Sequence, residues 1–155
     1  MSKNKKKKPE KNGLILSLVS AGLALVAVFM FFLPFLTSSY SNSGVSGFTF
    51  AFALADDDHG HGVSFGPFMV FFLLVVMIIS SLVTAYYRTS ILKYANIVMG
   101  VTVTVLALLT SVFIGDGHHH EYTQYVLGYG AIIVAVFGLL VAGTNVFSLF
   151  LSRKK

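Results

Sequence analysis

FGPFMVFFLLVVMIISSLVTAYY, RTSILK and YANIVMGVTVTVLALLTSVFIG, residues 65–87, 88–93 and 94–115, decide the fold. The first and third strings contain no Asp, Glu, Lys, Arg or His. Each is long enough to cross the hydrocarbon of a bilayer, which takes about 20 apolar residues in a helix. The linker is so short that the two spans predict an antiparallel helical hairpin. Residues 94–115 are rich in β-branched side chains (Val98, Val101, Thr102, Val103, Thr104, Val105). A lone strand in lipid would leave its backbone unpaired, so helix is the expectation there. Pro67 falls in a first turn, where its missing N–H costs little, and Tyr86-Tyr87-Arg88 reads as an aromatic and basic interface anchor.

Two further apolar runs flank the hairpin, Gly13–Leu36 and Tyr125–Leu151. The first follows a basic stretch, as a secretory signal would, but its 24 uncharged residues exceed the about 7 to 15 of a signal core. It reads as an uncleaved signal-anchor helix, with Pro34 finishing it near the outer end. The chain has 155 residues, 55% of them hydrophobic and 11% charged, against about a quarter charged in a soluble domain. The expected fold is therefore an all-α membrane protein, a four-transmembrane-helix bundle with spans at about 13–36, 65–87, 94–115 and 125–151. Residues 1–12 form a basic tail, expected to be disordered, residues 13–152 the transmembrane domain, and residues 153–155 a basic end.

Charge sets the expected orientation. All eleven Lys and Arg fall on one side of a four-span layout: Lys3, Lys5, Lys6, Lys7, Lys8 and Lys11, then Arg88 and Lys93, then Arg153, Lys154 and Lys155. Asp56, Asp57, Asp58, Asp116, Glu121 and all five histidines fall on the other. The positive-inside rule puts both termini in the cytoplasm. The Lys3–Lys11 tail sets topology and is also suited to anionic inner-leaflet lipids, at about 1 kcal/mol per Lys near the surface. The absence of Cys and of any Asn-x-Ser/Thr sequon in the outer segments points to a bacterial cytoplasmic membrane.

The first outer segment, Thr37–Ser64, opens on a Ser, Asn and Gly stretch and continues FTFAFAL, residues 48–54. There Phe48, Phe50, Phe52 and Leu54 alternate with small residues, which predicts a short β-strand in the first outer loop. DDDHGH, residues 56–61, follows, and DGHHHE, residues 116–121, forms the second outer link. Imidazole and carboxylate together suit a divalent metal, Zn²⁺ or in other geometries Cu²⁺ or Ni²⁺. In an extended stretch His59 and His61 share a side, as do His118 and His120. With Asp57 and Asp116 these are the candidate metal ligands, against the plainer reading of solvated polar loops whose glycines leave the ligands unorganised. The same histidines would also gain charge opposite five outer carboxylates on acidification, their ordinary pKa being about 6.5.

Coupled transporters and membrane enzymes keep ionisable groups inside the bundle, and none of the four runs supplies one. Small multidrug transporters of this size depend on an embedded glutamate, for which no residue here qualifies. No catalytic role is expected. The polar residues of the spans (among them Ser17, Ser20, Ser80, Ser81, Thr84, Asn96, Asn145 and Ser148) are expected to hydrogen-bond within or between helices, and Asn96 and Asn145 fall near the same ends. Ser17-xxx-Ala21, Ser20-xxx-Ala24 and Gly138-xxx-Ala142 are candidate helix-packing faces. The layout is similar in outline to that of claudin-like tetraspan proteins. The outer Trp and Cys pattern of claudins is not in it, since the chain has neither residue, and no membership is implied. The expected function is that of a non-catalytic accessory, scaffold or envelope component. Its expected partners are the bilayer and a membrane protein or second copy, with no nucleic acid. The alternative is a transport-related protein whose outer His and Asp clusters bind Zn, Cu or Ni.

Overall fold

The computed structural model describes residues 11–38, 44–52, 65–87, 89–110 and 125–153. The tail before Lys11, the turn residue Arg88, and both His and Asp strings lie outside the described residues, and with them His59, His61, His118, His120, Asp57 and Asp116. Four long helices carry the fold: α1 (Lys11–Met30), α3 (Phe65–Tyr87), α4 (Ser90–Leu109) and α5 (Tyr129–Arg153). Each is long and apolar enough to cross a membrane. A short helix, α2 (Gly47–Phe52), and three strands, β1 (Pro34–Ser38), β2 (Gly44–Ser46) and β3 (Tyr125–Leu127), complete the order α1-β1-β2-α2-α3-α4-β3-α5.

The long helices form an antiparallel ring in which α1 and α4 each lie between α3 and α5. Large apolar side chains such as Phe29, Phe72, Ile91, Val98, Leu139 and Phe147 face outward. The interior is built largely from small residues, including Ala24, Ala27, Ala107 and Ala131, with Val70, Leu74, Met77, Val103 and Val134. Large groups outside and small ones inside suit a bundle solvated by lipid, where close backbone approach drives helix packing. The predicted small-residue faces lie inside: Ser17, Ser20, Ala21, Ala24, Gly138 and Ala142 are all buried.

The first span ends earlier than its hydropathy suggests. After Met30 the chain tightens through Phe32 N–H to Phe29 O (3.2 Å) and Leu33 N–H to Met30 O (3.0 Å), and Pro34 then opens β1. Proline fixes φ, lacks an N–H and disfavours helix at the preceding residue, so residues 34–36 leave the helix although they are apolar. The fourth span likewise begins as a strand over residues 125–127, and the third starts at Ser90 rather than at 94, its described helix running to Leu109.

β1 is the central strand of an antiparallel sheet ordered β2-β1-β3, with Leu36 opposite Val45 and Leu127. This sheet, beyond α1 and ahead of α5, defines one end of the bundle. Lys11, Lys93 and Arg153, the first, fourth and last residues of α1, α4 and α5, define the other, the basic end. Gly128 ties β3 to β1 through its N–H to Phe35 O (2.7 Å). A Cβ on Gly128 would lie 2.3 Å from Pro34 O, so only glycine allows this approach.

The strand predicted at 48–54 is not where strands form. Residues 47–52 are the helix α2, and pairing falls on residues 34–38, 44–46 and 125–127. Ser46 caps α2, accepting from Thr49 N–H (3.1 Å), a local N-terminal bond that an alternating pattern does not encode. Phe48 and Phe52 then stand four apart on one face and meet each other (4.8 Å between ring centroids) and Phe71 of α3 (5.9 and 5.3 Å). Aromatic packing against α3, with Ala51 fully buried beneath, favours the helical turn over an edge strand.

Candidate functional site

Two kinds of residue were candidates from the sequence, the outer histidines and the polar groups of the spans. Among the described residues no three His, Cys, Asp or Glu side chains come together. What the structure does bring together is polar and lies inside the bundle towards its basic end.

Each long helix contributes two buried polar side chains one turn apart: Ser17 and Ser20 on α1, Ser81 and Thr84 on α3, Lys93 and Asn96 on α4, Asn145 and Ser148 on α5. Residues three apart share a helix face, so four such pairs make two stacked polar layers. At 1.5 Å per residue the deeper layer, represented by Ser81 and Asn96, lies roughly 9 Å inside the ends of α3 and α4.

The deeper layer is hydrogen-bonded across all four helices. Asn145 Nδ2 donates to Ser20 Oγ (2.9 Å) and to Val141 O on its own helix (2.8 Å). Ser20 Oγ and Ser81 Oγ are 3.1 Å apart and share one hydrogen. Asn96 Nδ2 donates to Ser81 Oγ (3.0 Å), and Asn96 Oδ1 accepts from Ser80 Oγ. The two asparagines, which fall near the same ends, are joined through two serines rather than directly. The amides hold four donors and two acceptors with no charge, so this layer links helices without taking up a proton near neutral pH.

The shallower layer is less complete. Ser17 Oγ donates to Gly13 O (3.0 Å) and Thr84 Oγ1 to Ser80 O (2.7 Å), both within their own helices. Ser148 Oγ is buried with no hydrogen-bond partner. Lys93, 8% exposed, is the one buried ionisable side chain among the described residues. The hydropathy boundary at Tyr94 left it in the turn, whereas α4 starts at Ser90 and carries it inside by a turn.

Between the two ends of the bundle α4 and α5 cross through glycine. A Cβ on Gly100 would stand 2.6 Å from Gly138 O, and one on Gly138 would stand 2.8 Å from Gly100 O. Thr104 Oγ1 donates across the same crossing to Ala135 O (3.0 Å). The Gly138-xxx-Ala142 face named from sequence meets α4 here, and Gly100 is the partner that the sequence reading missed. Its signal was a lone glycine in the middle of a β-branched span, a place where glycine serves close backbone approach.

Ser148→Ala should leave stability unchanged or raise it by up to about 1 kcal/mol, because it removes a buried hydroxyl that makes no bond. Ser20→Ala should lower it by about 1 kcal/mol through its two interhelical contacts. Reversible unfolding in mixed detergent micelles measures both, and a loss above about 1 kcal/mol for Ser148→Ala would assign that hydroxyl a partner.

Comparison with family models, with curated proteins and with solved structures found no match. The reading of function therefore rests on this geometry and on the sequence.

Proposed function

We propose that this chain is a non-catalytic integral membrane protein, an accessory, scaffold or envelope component that acts through helix contacts and the surface at its sheet end. The observation that carries this reading is the chemistry of the bundle interior. Apart from Lys93, near its basic end, its polar groups are hydroxyls and amides, nearly all bonded to each other or to helix carbonyls. Ion-coupled transport and intramembrane catalysis use acids, bases or metal ligands inside the bundle, and none of the five helices carries a carboxylate or a histidine. The positive-inside rule supports a cytoplasmic basic end, and the absence of Cys and of an outer Asn-x-Ser/Thr sequon supports a bacterial cytoplasmic membrane as the setting. Partners on this reading are the bilayer, anionic inner-leaflet lipids at Lys3–Lys11, and a membrane protein or second copy; nucleic acid has no part.

A divalent metal gives the second reading. Residues 53–64 join α2 to α3 and residues 111–124 join α4 to β3, so both histidine strings are tethered to elements of the sheet end. His59, His61, His118, His120, Asp57 and Asp116 would supply nitrogen and oxygen donors suited to Zn²⁺, Cu²⁺ or Ni²⁺.

Calorimetric titration of the full, metal-stripped protein with each ion separates the two readings. The accessory reading expects no binding tighter than about millimolar. Tight stoichiometric binding that disappears when His59, His61, His118 and His120 become Ala would replace it with metal handling.

A further inference from the structure

Beyond that reading, we infer that the shallower polar layer, inside the basic mouth of the bundle, binds one small monovalent anion of the chloride class. Three side chains there have donors with nothing to donate to among the described residues. Ser148 Oγ of α5, in a residue 3% exposed, makes no hydrogen bond, and neither does the buried Thr89 Oγ1 at the start of α4. Lys93 of α4, 8% exposed, makes no hydrogen bond or ion pair with a described residue. Register sets these groups together. Gly100 meets Ala142, and Thr104 bonds to Ala135 O, so each step towards the basic end goes down in number on α4 and up on α5. Asn96 is thereby level with Asn145, and one turn further Lys93 is level with Ser148, all four on buried faces. Thr89 stands four residues before Lys93 on the same stripe. The other hydroxyls of the layer, Ser17 and Thr84, are already donated to carbonyls of their own helices.

Charge selects an anion over water as the missing acceptor. A buried ammonium is stable only when a counter-charge compensates it, and none of the five helices carries a carboxylate. The start of α4 adds to the attraction, because its first-turn N–H groups take no bond from the Thr89 side chain and a helix start favours negative charge. One ammonium balances one negative charge, which selects a monovalent ion. Lys93 and Ser148 lie inside the ring of helices rather than on its lipid face, which selects a soluble ion over a lipid headgroup. Deeper in the bundle, Asn96, Ser81, Ser20 and Asn145 form a neutral layer closed by its own hydrogen bonds, so the ion goes no further. The site is a dead end that ties α4 to α5, and it is separate from any adhesion of the Lys3–Lys11 tail.

The test titrates the full chain in a neutral maltoside detergent with chloride, exchanged for the bulkier gluconate at constant ionic strength, and follows the chloride NMR line width and the melting temperature. Chloride should bind saturably, one ion per chain with half-saturation below about 100 mM, and raise the melting temperature over the same range. Lys93→Gln should weaken binding at least about tenfold, and Ser148→Ala about three- to tenfold, the worth of a hydrogen bond to a charged group. In gluconate alone Ser148→Ala should be at least as stable as the parent, which separates loss of the ion from a folding defect. Replacing the six tail lysines with Gln should leave binding in place. No saturable binding, or binding unchanged in both Lys93→Gln and Ser148→Ala, would overturn the proposal. So would binding that appears only in Glu10→Gln, which would give Lys93 to that carboxylate, or displacement of chloride by phosphatidylglycerol but not phosphatidylcholine, which would give the site to a headgroup.

Discussion

Gly100→Val should destabilise the bundle by about 3 kcal/mol, and Gly100→Ala by about 2. The atoms that a Cβ would meet are Gly138 O at 2.6 Å and Ala142 N and Cβ, each at 3.2 Å; two are backbone and an alanine Cβ has no rotamer, so no rotamer change relieves the contact. The helices must separate instead. Separation also stretches the Thr104 to Ala135 bond, worth about 0.6 kcal/mol between membrane helices, and thins the packing around Val103 and Ala107. Better helix propensity of alanine over glycine, up to about 1 kcal/mol, offsets part of this. Gly22 and Gly143 provide internal controls, because a Cβ at either meets nothing within 4 Å. Their alanine variants should be neutral or slightly stabilising. Reversible unfolding of all three alanine variants in the same micelles makes the comparison, and equal stability of Gly100→Ala and Gly143→Ala would contradict the close crossing.

Asn96→Leu and Asn145→Leu should each lower stability by about 1 to 2 kcal/mol, and the pair together by less than their sum. Each asparagine makes two bonds, Asn96 to Ser80 and Ser81, Asn145 to Ser20 and Val141 O. At about 0.6 kcal/mol per contact the bonds account for most of each loss, and the serines left behind account for the rest. Because Ser20 and Ser81 link the two amides, removing one already weakens the support of the other. A double-mutant cycle should return a coupling of about 0.5 kcal/mol or more, against additivity for residues without shared partners. Full additivity would mean that the four-helix network does not act as a unit.

The four helices were legible from hydropathy alone, because a run of about 20 apolar residues has few other uses. Their ends were not. Pro34 and Gly128 sit in apolar surroundings that hydropathy cannot divide, and what ends the helices there is strand pairing between residues far apart in sequence. The misplaced strand at 48–54 had a comparable cause: Phe48 and Phe52 satisfy a period of two and a spacing of four equally well. Ser46 as a cap and Phe71 as a partner decide between them. The polar interior was half legible. Its members were all visible as hydroxyls and amides in the spans, and the repeated three-residue spacing on every helix was the signal that they form layers. The joining of Asn96 to Asn145 through Ser20 and Ser81 depends on helix register, which the sequence does not state. The candidate metal ligands lie outside the described residues, so their reading still rests on composition and spacing.

The central claim is a bundle crossing the membrane four times, its basic end in the cytoplasm and its sheet end outside. Single cysteines introduced into this cysteine-free chain test it directly, with an impermeant thiol reagent applied to intact cells. Ser43→Cys and Gly117→Cys should be labelled, and Ser90→Cys, at the start of α4, should react only after the cells are opened. Labelling at Ser90→Cys in intact cells, or protection at Gly117→Cys, would contradict the account.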